Sequence, residues 1–227
     1  MKNLEQHLVD ASPAMLRWDN LWPCSVPGAA KGWSEQVPAG MTLLLDETGD
    51  EATHWLAVLT GFTAPSQGNV QCAGLCSQAD PLAYQAQVFW HNPRLPLPDT
   101  AISATQWVQN MVQRWPAWND TQWQAHRDGF GLAEHMDKPL WHLSTGCLRK
   151  LGIAAALASG ARLTVIEEPI AALDSDSIRY LCHALDELSE NLAEHPEWPR
   201  WVLVVHWEAL PGVTWDEVLA APSVVPV

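Results

Sequence analysis

Short apolar runs alternate along this chain with longer stretches in which apolar residues recur at helical spacing. Met41 to Asp46 (MTLLLD) is one such run, and Pro38-Ala39-Gly40 ahead of it supplies a turn, so a buried strand is expected there. From Glu51 to Gly61 the apolar residues Trp55, Leu56, Val58 and Leu59 fall at helical positions, which completes a strand, short loop and helix. Thr63 to Asn69 reads as turn, and a short strand is expected over Leu82 to Tyr84. Pro93, Pro96 and Pro98 make the next stretch irregular. From Ala101 to Arg127 a helical pattern returns through Ile102, Trp107, Val108, Met111 and Val112, with a break at Pro116. Ser144 is placed to cap a helix rich in Ala and Leu that runs to Ser159, and Gly160 sits where that helix would end. Leu163 to Ile166 (LTVI) predicts a strand leading into Glu167-Glu168-Pro169. Asp176 to Glu190 predicts a helix, and Trp201 to Val205 a buried strand ending at His206.

Strands that alternate with helices imply an α/β fold with a mostly parallel sheet and crossover connections. Ligands in such sheets bind at the carboxyl ends of the strands. Three strands here run into polar groups: Asp46 to Thr53, Glu167 with Glu168, and His206. Adjacent carboxylates at a strand end can hold the water of a divalent cation, or simply cap the strand, and the Glu-Glu pair alone leaves both readings open.

Bulk properties narrow the picture. The 227 residues suit a single domain, 1–227, and no apolar run approaches the roughly 18 residues of a membrane span. Met1 to Asp10 carries Glu5 and Asp10 without an apolar signal core, so a cytoplasmic location is expected. Twenty-six carboxylates against twelve Lys plus Arg give a net charge of -14, which argues against nucleic acid as a partner. The five cysteines, Cys24, Cys72, Cys76, Cys147 and Cys182, show no paired Cys-x-x-Cys spacing and read as free thiols. The histidines show no ligand spacing either, so no metal site is expected. Fourteen tryptophans are many, and Trp107, Trp115, Trp118, Trp123 and Trp141 cluster where they would pack a small helical unit or face a partner.

The order of the pieces in the second half carries a resemblance. Leu143-Ser144-Thr145-Gly146-Cys147, then Arg149-Lys150 and an Ala/Leu-rich helix, then LTVIEEP, then Ala171-Ala172-Leu173-Asp174, then a strand ending in His206, resembles the ATPase domain of ABC transporters. In that family the signature loop reads LSGGQ, the Walker B strand ends in Asp-Glu-Pro, the D-loop reads SALD and a switch histidine ends the next strand. Ser144 and Gly146 match the signature, whereas Thr145 and Cys147 depart from it. Glu168 matches the catalytic base and Glu167 replaces the magnesium-linked aspartate, while Leu173, Asp174 and His206 match the D-loop and switch.

The resemblance requires a phosphate loop, G-x-x-x-x-G-K-[ST], after the first core strand, and only Asp46 to Thr53 lies there. Asp46 and Glu51 replace the glycines, Ala52 replaces the lysine, and Thr53 survives, with Gly49 the one glycine of the stretch. Tyr84-Gln85-Ala86-Gln87 resembles the approach to the family's Q-loop, which makes Gln87 the candidate glutamine, and Trp22 is a candidate for the adenine-stacking aromatic. The resemblance therefore implies a P-loop NTPase-like ABC ATPase core, with a mostly parallel sheet, an N-terminal antiparallel β part and an inserted helical signature subdomain at about residues 95–159.

A loop without its lysine and lined by acid opposes a triphosphate, since each like-charge contact at about 4 Å costs on the order of 4 kcal/mol at an effective dielectric near 20. The first functional expectation is a non-catalytic ABC-type subunit, a pseudo-ATPase. It would pair with an intact ATPase subunit and an integral membrane permease, peripheral at the inner face of the membrane. Ser144, Gly146 and Asp174 would then face ATP and Mg held at a composite site with the partner, and no nucleotide would bind tightly to this chain alone. Two alternatives are a scaffold or regulatory subunit of a permease complex with no productive site, and an active ATPase with a rearranged phosphate loop.

Overall fold

A computed structural model describes residues 15–23, 32–46, 51–95 and 99–222. The described residues form two sheets. The smaller is antiparallel, built from β1 (Met15–Trp22), β2 (Trp33–Pro38), β4 (Gln67–Cys72) and the short β5 (Leu75–Cys76) in the order β2-β1-β4-β5. Alternation is visible in β1, where Leu16, Trp18 and Leu21 are buried while Arg17, Asp19 and Asn20 face out. The larger sheet is parallel throughout its five strands: β6 (Val88–His91), β7 (Leu163–Glu167), β8 (Trp201–His206), β3 (Gly40–Leu45) and β9 (Glu217–Ala220). Here β7 and β8 are buried at every position, as expected of strands covered on both faces.

Helices pack around this sheet. α1 (Glu51–Leu59) follows β3, and α5 (Thr145–Ala158) and α6 (Ser175–Glu194) flank β7. α3 (Ala104–Arg114) and α4 (Asp120–Gly129) form, with two single-turn 3-10 helices, a helical region between β6 and α5. Ser103 caps α3 in a reciprocal capping box with Gln106, and Asn119 caps α4. Ser144 caps α5, accepting from Cys147 N at 3.1 Å. Gly160 ends the same helix region at φ +65, and a Cβ there would stand 2.3 Å from Ala117 O, so only glycine fits both the turn and the approach of the helical region.

The segment read as a strand over Leu82 to Tyr84 is instead the helix α2 (Pro81–Ala86). Asp80 caps it by accepting from Ala83 N at 3.2 Å, and Pro81 occupies the first turn, where its missing N–H is no loss. Part of the stretch read as turn, from Gln67 onward, is strand β4, paired with β1.

Two buried clusters meet across the parallel sheet. One joins the sheet to α1 and the antiparallel strands through Trp18, Trp33, Trp55 and Trp201, with Trp33 edge-on to both Trp18 and Trp55. The other joins it to α3–α6, and takes in Trp107, Trp115 and Trp123, while Trp141 stays exposed. Of the described cysteines, Cys72 and Cys182 are buried and Cys76 and Cys147 partly so, all as free thiols, and Cys24 lies outside the described residues. No described helix is long and apolar enough to cross a membrane.

Trp201 ties the two sheets together: it is fully buried in β8 and donates its Nε1–H to Val37 O of β2 at 3.0 Å. Trp201→Phe removes that donor and some volume, and is expected to lower stability by about 1–3 kcal/mol in denaturant unfolding, with the m-value unchanged.

Candidate functional site

Because β6, β7, β8 and β3 are parallel and in register (His91 beside Ile166, Glu167 beside Val205, Leu45 beside His206), their carboxyl ends emerge on one edge. That edge gathers Asp46, Thr53, Glu167, Glu168 and His206. The chain leaves β3 at Asp46, whose N–H donates to His206 O at 3.1 Å. The buried carboxylate of Asp46 then turns onto the start of α1 and accepts from Ala52 N at 3.2 Å. A carboxylate thus sits at a helix N-terminus, the position where backbone N–H groups and the helix dipole favour an anion. Gly49, with the rest of residues 47–50, lies outside the described residues.

Glu167, the last residue of β7, is buried and accepts two hydrogen bonds, from Thr53 Oγ1 at 3.1 Å and from Trp90 Nε1 at 2.5 Å. Burial raises its pKa to about 7, against the lowering effect of the bonds from Trp90 and Thr53 and of the charge on Arg94. Trp90, in β6, is the side chain of that strand that reaches Glu167. Gln87 is not brought to this edge: it precedes β6, accepts from Leu163 N at the beginning of β7, and donates its side-chain amide to Cys72 O at 2.9 Å.

Glu168 is held by two arginines. Arg94 donates from Nη2 to Oε1 at 2.6 Å, and Arg149, on α5, from Nη2 to Oε2 at 3.3 Å and from Nη1 to the backbone oxygen at 3.2 Å. Arg94 also reaches Thr53, with Nη1 3.3 Å from Oγ1. Glu168 adopts φ +46, a left-handed conformation unusual for a residue with a side chain, so the surrounding contacts must hold it there. His91, at the end of β6, packs so closely on α5 that a Cβ at Gly152 would stand 2.4 Å from its ring. Burial first, and then the charge of Arg149, lower His91 to about 4, so it is neutral at ordinary pH.

His206 is buried at the end of β8, its Nδ1 2.9 Å from Glu208 O and its Nε2 without a partner among the described residues. The exposed Trp207 lies over it, with ring centroids 3.7 Å apart.

Ser144, Gly146 and Asp174 form a second group, on the surface where α5 begins. Ser144 is exposed, and Gly146 lets α5 lie against the loop before α6, since a Cβ there would stand 2.6 Å from Ala172 O. Asp174 caps α6 through Ser177 N at 2.8 Å and receives Lys150 Nζ at 2.5 Å. The Lys150 bond first, and then the bonds from Ser177, hold its carboxyl well below the usual range. Successive residues of α5 therefore link the two groups: Arg149 to Glu168 and Lys150 to Asp174. Trp22, the candidate stacking aromatic, lies in β1 with its Nε1–H directed to Asn20 Oδ1 at 3.2 Å. The sequence reading does not single out Trp90 or Arg94, and it names Arg149 only within the run after the signature, with no role at this site. The one available signal was the scarcity of basic residues, twelve in the whole chain, which makes each buried or clustered one informative.

No model of a protein family matches the chain. Curated relatives do. The taurine import ATP-binding protein TauB of Pseudomonas putida is 30% identical over 142 residues, which is 61% of this chain and 52% of that protein, so the match spans about half of the relative's length. TauB of Pseudomonas syringae pv. tomato is 25% identical over 206 residues, 87% of this chain and 75% of that protein. The cytochrome c biogenesis ATP-binding export protein CcmA of Pseudomonas syringae pv. syringae is 29% identical over 147 residues, 64% of this chain and 65% of that protein. Among solved structures, an ABC transporter ATP-binding protein from Pyrococcus furiosus superimposes with a TM-score of 0.72 at 16% identity, covering 92% of this chain and 98% of that one. An ATP-binding subunit of another ABC transporter gives a TM-score of 0.65 at 17% identity, covering 85% and 79%. The chain is thus similar in sequence to TauB over most of its length and shares the fold of solved ATP-binding subunits of ABC transporters.

Proposed function

We propose that this chain is a non-catalytic ABC-type subunit that pairs with an intact ATPase subunit and lends it the surface of Ser144, Gly146 and Asp174. The observation that carries this reading is that groups at its own carboxyl-end site are already taken by the chain itself. Asp46 sits on the α1 N-terminus, Thr53 on Glu167, and Arg94 with Arg149 on Glu168. Both carboxylate oxygens of Glu168 already accept from guanidinium donors, so neither is turned freely toward an attacking water. Position 52, where the phosphate loop would carry lysine, is a buried alanine. The residues present therefore do not fit a magnesium-bound triphosphate, which would have to displace an internal carboxylate from a helix end and meet Glu167 and Glu168 without a lysine.

The signature side is differently placed. Ser144 and Asp174 are exposed and spatially joined by α5, as a surface offered to a second subunit requires. For the membrane partner, an apolar cavity of about 770 Å3 opens between β6, α3 and α5, lined by Phe89, Trp90, Trp107, Trp115 and Leu148. Its size and lining suit an apolar helix end from a permease.

Calorimetric titration of the isolated chain with Mg-ATP is expected to give no binding tighter than about millimolar, and micromolar affinity would overturn the reading in favour of a rearranged but working loop. Mixed with its intact ATPase partner, Ser144→Arg is expected to reduce the partner's turnover on the order of tenfold or more. Unchanged turnover would favour a scaffold instead.

A pH test follows from Glu167. Its folded pKa of about 7 lies above the ordinary 4.5, so its favourable contribution is complete below that ordinary value and is lost as pH rises through about 7. Glu167→Gln cannot ionise. It is expected to match the parent chain in unfolding free energy near pH 5 and to exceed it near pH 8 by up to about 3 kcal/mol.

A further inference from the structure

Three oxygen-bearing side chains from two elements converge where β7 ends and α1 begins: Thr53, Glu167 and Glu168. A hydroxyl and two carboxylates so placed are hard-oxygen ligands of the kind that hold a small divalent cation. The guanidinium of Arg94 stands among them, one nitrogen 3.3 Å from Thr53 Oγ1 and the other 2.6 Å from Glu168 Oε1. Its planar fork is suited to bridging two oxygens, which a point charge on a flexible stem would not do as well. Through Glu168 the bridge continues to Arg149 on α5, whose side chain is only 15% exposed. One arginine from the loop after β6 thereby ties α1, the end of β7 and the helix that carries Ser144.

We propose that Arg94 is a built-in cation that takes the place of a divalent metal, holding these three elements in their assembled arrangement with no ligand bound. The proposal rests on the reading that the site holds no nucleotide. It goes beyond that reading by assigning the protein its own substitute for the missing charge. Exposed single ion pairs contribute little, and Arg94 is 41% exposed. What gives this one leverage is that its removal takes away the charge that spans Thr53 and Glu168 and acts on Glu167, leaving Glu168 with Arg149 alone.

Hydrogen–deuterium exchange on the full chain tests it, comparing the parent, Arg94→Ala and Arg94→Gln in metal-free buffer and in millimolar MgCl2. In metal-free buffer both variants are expected to exchange faster at residues 53–56 and 150–153, on the order of tenfold. Magnesium is expected to restore protection to both variants and to leave the parent unchanged. The proposal is overturned if Arg94→Gln exchanges like the parent, since charge would then not matter, or if the variants loosen and magnesium fails to restore them. Protection of the parent chain by Mg-ATP would instead sink the empty-site reading. The comparison of variants is made without nucleotide and stands or falls separately.

Discussion

The constraint on which everything else rests is the parallel ladder of β7, β8 and β3. Parallel strands must be linked by crossovers, and every strand in such a ladder delivers its carboxyl end to the same edge. Residues separated by over a hundred positions, Thr53 and Glu167 among them, are therefore brought within hydrogen-bond reach without any local signal. The apolar burial of β7 and β8 fixes the register. A slip of one residue would turn Glu167 away from Thr53 and put Glu168 in its place. The chemistry at the edge is thus set by the packing of the sheet interior.

How much of this was legible in the sequence depended on the length and texture of each segment. MTLLL, LTVIE and WVLVVH are uniform apolar runs bounded by turn residues, and each is a strand within a residue or two of the reading. α5 announces itself by its cap at Ser144 and α6 by the length of its helical stretch. α2 does not, because its six residues are too few to show a period, and Leu82 and Tyr84 two apart mimic a strand. The same shortness hid the place of Gln87, for the sequence does not tell where β6 begins, and so not that Gln87 precedes the strand while Trp90 lies within it.

The arginines were illegible for another reason. Arg94 lies in a proline-broken stretch and Arg149 beside another cation, and ordinary chains place solvated charges in both settings. Their partner Glu168 is 74 and 19 residues away respectively, so the cluster exists only once the sheet and α5 are assembled. Spacing rules describe groups that share one element or one loop. Groups recruited from a loop, a helix and a strand end escape them. What the sequence does carry on its own is the make-up of residues 46–53, where an alanine stands at position 52 among several acids.

The left-handed peptide at Glu168 imposes a trade on this position that neither charge nor packing reveals alone. Glycine would relax the backbone but would cut both guanidiniums loose, while a carboxylate keeps them and must tolerate a contorted main chain. A replacement chosen for comfort forfeits the tether, and one chosen for the tether inherits the contortion. The bend in the chain after β7 therefore behaves as a loaded joint, shut by attraction from outside the turn itself.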